Sequence, residues 1–126
     1  MNLTARQARL GLFALVALPL LPRPAKSAPR LQLMMITKPG CVYCRQWRRD
    51  IGQGYSANPL GRQLALFETD IDGPYPDGLA LARRPYVTPT FILLRDGAEM
   101  GRMEGYVGRD EFWPMLGQMV QGMPGS

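Results

Sequence analysis

A chain of 126 residues suits one domain and leaves no room for two substantial cores. The formal charge of +5 invites a nucleic-acid reading, but four of the fifteen Lys and Arg residues fall in the first 27 positions and all ten acidic residues lie beyond them, leaving 11 basic against 10 acidic groups in the remainder. A domain that close to neutrality has no general electrostatic footprint for phosphate backbones, so no nucleic acid is expected as a partner.

The first 27 residues read as a secretory signal peptide. Arg6 and Arg9 supply a positive start, Leu10 to Leu21 is an uncharged apolar run, and Ala25-Lys26-Ser27 offers small residues for cleavage after Ser27. The rival is a membrane anchor, but the run has 12 residues, is interrupted by Pro19, and falls short of the ~20 that span a bilayer core. The expected organisation is therefore a signal segment over 1–27 and one domain over 28–126. If retained, the segment would be the domain's only attachment to a membrane.

Leu31 to Ile36 is a short apolar run stopped by Lys38-Pro39-Gly40, which predicts a buried strand. Cys41 to Ile51 predicts a helix, with Cys44, Trp47 and Ile51 on one face and Arg45, Arg48, Arg49 and Asp50 toward solvent, ended by Gly52 and Gly54. Asn58-Pro59 predicts a cap and first helical position for a short segment ending near Leu64. Ala65 to Ile71 follows as a second strand, then a Gly/Pro/Asp loop over 72–78 and a brief helix over Leu79 to Arg83 stopped before Pro85. Thr90 to Leu94 is rich in strand formers, Asp96-Gly97 predicts a tight hairpin turn, and Glu99 to Glu104 is the returning arm. A final helix is expected over Asp110 to Val120, capped by Asp110, with Pro114 near its first turn and Phe112, Met115, Leu116, Met119 and Val120 as its apolar stripe. The order is strand, helix, strand, short helix, strand, strand, helix, an α/β arrangement with a central mixed sheet flanked by helices.

Two cysteines, Cys41 and Cys44, and no histidine carry the chemistry. Cys-x-x-Cys between a strand and a helix is the spacing associated with thiol–disulfide exchange. The first cysteine sits where unpaired N–H groups and the helix dipole favour negative charge, so its thiolate, the attacking species, is stabilised. Lys38 and Arg45 add positive charge nearby. Cys44, one turn on, is suited to attack the resulting mixed disulfide and release the reduced partner. Three other readings stay open here. A structural disulfide across so short a loop contributes only about 2 kcal/mol. Zinc needs about four ligands, and one chain offers two thiolates and no histidine, which excludes a monomeric zinc site unless carboxylates complete it. Copper(I) accepts two thiolates, with methionine as a further soft ligand, although Met34, Met35, Met115 and Met119 fall at core-filling positions.

Val87-Thr88-Pro89-Thr90 precedes the strand at Thr90. Pro89 reads either as a trans entry to that strand or, given the upstream cysteines, as a cis Thr88–Pro89 bond beside the active site, leaving the Thr88 backbone free to pair with an extended peptide.

From Leu31 to about Val120 these motifs resemble the thioredoxin superfamily. More narrowly, Thr37-Lys38-Pro39-Gly40-Cys41-Val42-Tyr43-Cys44 with Trp47, Arg84-Pro85, Thr88-Pro89-Thr90-Phe91, Gly105-Tyr106 and Phe112-Trp113 are similar to the periplasmic thioredoxin-like proteins encoded with bacterial sulfur-oxidation (Sox) systems. The resemblance implies a thioredoxin fold in β-α-β-α-β-β-α order, Cys41 as nucleophile, Cys44 as resolving cysteine, and client contacts at Thr88, Pro89, Val42 and Tyr43. It implies a periplasmic thiol–disulfide oxidoreductase without cofactor or metal. Its partners would be client protein thiols, such as a sulfur-oxidation carrier, and an upstream thiol donor such as a membrane thiol relay. A copper(I)-binding or redox-inert adaptor is the alternative. The chain departs from thioredoxin itself at two places. Val42-Tyr43 replaces Gly-Pro between the cysteines, and Met35 stands where thioredoxin buries an acid.

Overall fold

The computed structural model describes residues 11, 13–22 and 28–125. The expected signal-peptide features at Arg6, Arg9 and Ala25-Lys26-Ser27 lie outside the described residues. Residues 13–22 have no regular secondary structure and are exposed. No helix among the described residues is long and apolar enough to cross a membrane.

The domain runs β1 (Leu31–Thr37), α1 (Val42–Asp50), a 3₁₀ segment (Gly52–Ala57), α2 (Pro59–Gln63), β2 (Ala65–Asp70), β3 (Thr90–Arg95), β4 (Ala98–Glu104) and α3 (Arg109–Gln121). The sheet order is β2-β1-β3-β4, with β1 and β2 parallel and the other two pairs antiparallel. This is the mixed sheet expected from the order of motifs.

β1 and β3 are central strands, buried on both faces, and this is why their sequences read as unbroken apolar runs instead of alternating. One face takes Leu33, Met35, Phe91 and Leu93, against which α1 and α3 pack through Cys44, Trp47, Phe112 and Leu116. Trp47 is the hub, with ring centroids 5.3 Å from Phe91 and 5.7 Å from Phe112. Removing a buried aromatic of that size costs about 3–5 kcal/mol. The other face presents Met34, Ile36, Ile92 and Leu94.

That second face is where expectation and structure part. The brief helix expected over Leu79 to Arg83 does not form. Ala80 instead makes a bridge to Ala98, its N–H donating to the Gly97 carbonyl at 2.9 Å and its carbonyl accepting from Glu99 N–H at 2.9 Å. Those bonds satisfy the backbone that a helix would have satisfied internally, and Leu79 and Leu81 still pack onto Met34, Ile36, Ile92 and Leu94. The segment between β2 and β3 therefore covers the sheet as irregular chain.

The other local signals resolve as follows. Asn58 caps α2, its side-chain oxygen accepting from Leu60 N–H at 2.9 Å, with Pro59 in the first turn. Gly52 does not end regular structure but opens the 3₁₀ segment after α1 stops at Asp50. Asp96 and Gly97 both take positive φ, 51° and 82°, as a tight hairpin turn demands. Gly97 is doubly constrained, because a Cβ there would lie 2.3 Å from the Gly78 carbonyl oxygen. Asp110 is not the cap of α3. Gly108 holds that position without a side-chain bond, and Asp110 and Glu111 lie in the first turn, where they complement the helix dipole. With the start one residue earlier than expected, Pro114 falls inside the helix.

Candidate functional site

β1 ends at Thr37, and the turn that follows aims the chain into α1. Gly40 adopts φ 74°, a conformation other residues rarely take, and Cys41 N–H donates to the Lys38 carbonyl at 3.3 Å. Cys41 is the N-cap of α1, its Sγ accepting from the Cys44 N–H at 3.1 Å. The sulfur thus occupies the position where a capping oxygen would satisfy an orphan donor. Cys41 and Cys44 are joined in a disulfide with Cα atoms 5.2 Å apart. Cys41 is 6 % exposed and Cys44 fully buried, so the first sulfur is the one nearer solvent. Met35 is buried in the same cluster as Cys44, and no carboxylate takes its place there.

The first turn of α1 contains no acidic residue. Lys38 and Arg45 line an open pocket of about 340 Å³ beside Cys41, together with Arg48 and Asp70. Neither Arg48 nor Asp70 was singled out from sequence. Arg48 lies one turn beyond Arg45 on α1, and Asp70 is the β2 partner of Thr37, so only the strand register brings it there. Arg48 Nε donates to Glu68 Oε1 at 3.0 Å, which holds it across the α1–β2 gap.

The Thr88–Pro89 peptide bond is cis, as is Gly73–Pro74, which nothing in the sequence flagged. Pro89 immediately precedes β3, and its carbonyl accepts from Gly105 N–H at 2.7 Å. The register Ile36, Thr90, Glu104 aligns the end of β1, the start of β3 and the end of β4. The cysteine pair, Thr88-Pro89 and the Gly105–Gly108 loop therefore share one end of the sheet. Val42 and Tyr43, in the first turn of α1, and Tyr86 and Val107, in the loops before β3 and after β4, are the exposed large apolar side chains of residues 28–125, each more than half exposed. Tyr86 and Val107 went unnoticed in the sequence because their meaning depends on which loops converge.

Polar contacts hold these loops. Tyr106 Oη donates to Asp50 Oδ2 at 2.9 Å and Arg109 donates to Oδ1 at 3.2 Å, tying the loop after β4 to the end of α1. The Tyr106 hydrogen bond holds the Asp50 carboxyl below its ordinary value, and burial, with that carboxylate, pushes the Tyr106 phenol up to about 12. Tyr86 Oη donates to Glu104 Oε2 at 3.0 Å, and Arg83 donates to the other oxygen. Arg83 and Arg84 are exposed but partnered, with Arg84 stacked 5.5 Å from the Tyr75 ring centre. Beneath this segment, Arg102 pairs with Glu99 at 2.6 Å, both side chains under a tenth exposed, and donates to the Arg83 carbonyl at 2.7 Å.

A family model described as a thioredoxin-like domain matches residues 23–120. Among solved structures, the periplasmic thioredoxin SoxS from Paracoccus pantotrophus in its reduced form is 41 % identical. It superposes with a TM-score of 0.72 over 73 % of this chain and 97 % of that one. Chlamydomonas reinhardtii thioredoxin f2 is similar at 13 % identity and TM-score 0.52, over 74 % of this chain and 82 % of that chain. Fasciola hepatica thioredoxin is similar at 16 % and 0.50, over 71 % and 81 %. These last two share the fold. A search of curated proteins finds no match. With a paired Cys-x-x-Cys at the head of α1 and a matching family model over most of its length, the chain belongs to the thioredoxin-like family and is a thiol–disulfide oxidoreductase.

Proposed function

We propose that this protein is exported to the periplasm, with residues 1–27 as its signal segment, and there reduces or reactivates cysteine-containing client proteins such as a sulfur-oxidation carrier. The observation that carries the reading is the asymmetry of the pair, with Cys41 at the helix cap and nearer solvent and Cys44 buried behind it. The likeness to a protein described as a periplasmic thioredoxin supports the compartment.

In the reduced protein, the Cys41 thiolate attacks one sulfur of a client disulfide. That bond breaks, the leaving sulfur departs as a thiolate, and a Cys41–client mixed disulfide forms. The first turn of α1, with Lys38 and Arg45, stabilises the attacking thiolate. Cys44, as thiolate, then attacks Cys41 Sγ, releasing the second client thiol and leaving the Cys41–Cys44 disulfide. Two electrons have passed to the client, and an upstream dithiol donor must return them. Met35 leaves the resolving thiol without a buried carboxylate to take its proton, so water or another group accepts it. The backbone of Thr88 makes no hydrogen bond among the described residues, which supports its pairing with an extended client strand next to Val42 and Tyr43.

Cys44→Ser is expected to accumulate mixed disulfides with clients, resolved by non-reducing electrophoresis and mass spectrometry, whereas Cys41→Ser is not. Equal trapping by both variants would overturn the assignment of roles.

A further inference from the structure

We infer that Arg102 is a positioning residue for client capture. From beneath, it fixes the chain leading to Thr88-Pro89, and so sets how well an extended protein disulfide, as opposed to a small one, is engaged. The inference rests on the proposed reading in which Cys41 attacks and the Thr88 backbone pairs with a client strand.

β4 carries a charged row on a sheet face that is otherwise apolar. Glu99, Arg102 and Glu104 lie opposite Leu94, Ile92 and Thr90 of β3, on the face of Met34 and Ile36 and not that of the cysteines. Residues three apart in a regular strand point to opposite faces. Glu99 and Arg102 share a face only because β4 carries an extra residue between them, where the register shifts at Leu93/Leu94. Such a bulge re-aims a side chain, and here it closes the Glu99–Arg102 pair at 2.6 Å, both side chains under a tenth exposed.

The core does not need this pair. Apolar residues of similar volume would serve stability as well or better, because two buried charges lose their hydration. What apolar side chains would not do is grip the chain above them. Ala82 to Val87 belongs to no helix or strand. Glu99 Oε1 accepts from Ala82 N–H at 3.2 Å, and Arg102 Nη2 donates to the Arg83 carbonyl at 2.7 Å. Arg102 Nη1 stands 4.0 Å from Glu104 Oε1, and Glu104 in turn accepts from the Arg83 and Tyr86 side chains. The Thr90 hydroxyl then donates to the Val87 carbonyl at 2.8 Å. Side chains of β3 and β4 thus set the course of the chain up to Thr88, and Arg102 links the two halves of that grip. A small disulfide meets only Cys41, whereas an extended client must also align with Thr88.

The test follows single turnovers of the reduced full chain with insulin and with bis(2-hydroxyethyl) disulfide, acid-quenched and alkylated so that mass reports the Cys41–Cys44 disulfide formed. The ratio of the two rates is the readout, since a merely structural role would move both alike. In Glu99→Leu/Arg102→Met the insulin rate is expected to fall about ten-fold while the small-disulfide rate stays within about two-fold and the urea midpoint is not lowered. Arg102→Lys keeps a charge opposite Glu99 but cannot also reach the Arg83 carbonyl, and should lose about three-fold with insulin alone. An unchanged ratio in either variant, or a double variant that does not fold, would overturn the inference and leave the oxidoreductase reading intact. A wild-type chain that reduces the small disulfide but not insulin would overturn the Thr88 pairing and the inference together. Reduction of neither probe would overturn the assignment of Cys41 as the attacking sulfur as well.

Discussion

At the scale of single residues, the site depends on a few polar groups whose ionisation is set by neighbours. Glu99 shows the balance. Burial pulls its carboxyl up, but the Arg102 guanidinium and the Ala82 N–H outweigh that and hold it below its ordinary value. A depressed carboxylate contributes stability that is complete above its unfolded pKa and is lost as pH falls through the lower folded value. Stability should therefore decline on the acid side of the 4.5 reference value, and Glu99→Gln should flatten that limb in urea titrations run at successive pH values. Because the Arg102 guanidinium also accounts for the Arg83 carbonyl, Glu99→Gln should additionally loosen the chain leading to Thr88-Pro89. An unchanged acid limb would mean that the pair is equally formed in the unfolded ensemble.

The 3₁₀ segment and α2 meet at a close approach that glycine permits. Gly61 in α2 lies so near the 3₁₀ segment that a Cβ would stand 1.9 Å from the Tyr55 carbonyl oxygen, backbone that has no easy way to retreat. Gly61→Ala should lower unfolding stability by about 2–4 kcal/mol, the range of severe overpacking. Gly117 in α3 is the internal comparison, since a Cβ there meets only Leu60 Cδ2 at 4.0 Å. Gly117→Ala should raise stability by about 0.5–1 kcal/mol through helix propensity alone. Chemical denaturation of the two variants checks both signs at once.

For the whole molecule, two measurements follow. Residues 13–22 are exposed and add nothing to the core, so the fragment 28–126 should unfold at the same urea midpoint as the full chain. A lower midpoint would show that the amino-terminal segment packs on the domain. The Cys41–Cys44 couple should equilibrate with dithiothreitol nearer to thioredoxin's potential of about −270 mV than to DsbA's of about −120 mV. The reason is that Val42-Tyr43 offers no histidine to stabilise the thiolate further. A value near −120 mV would make the protein a disulfide donor and reverse the direction of electron flow.

Several elements were legible because their signals are local. Lys38-Pro39-Gly40 stops a strand, Asp96-Gly97 makes a hairpin, Asn58-Pro59 opens a helix, and Cys41 and Cys44 are one helical turn apart. Such signals act through steric limits on φ and through hydrogen bonds between near neighbours, so no distant residue is needed to read them. Whatever depended on distant residues was left to the tertiary structure. Leu79 to Arg83 has helix-compatible residues, yet the edge of β4 offers Ala80 better partners than its own turn would. Asp70 enters the pocket only because β2 pairs with β1 in one register, and Tyr86 and Val107 join Val42 and Tyr43 only because β3 and β4 return to the same end of the sheet. The sequence by itself determined the chemistry of the reacting pair. The charge and shape around it were decided by strand pairing, because pairing energies are summed across the sheet and appear in no single stretch of chain.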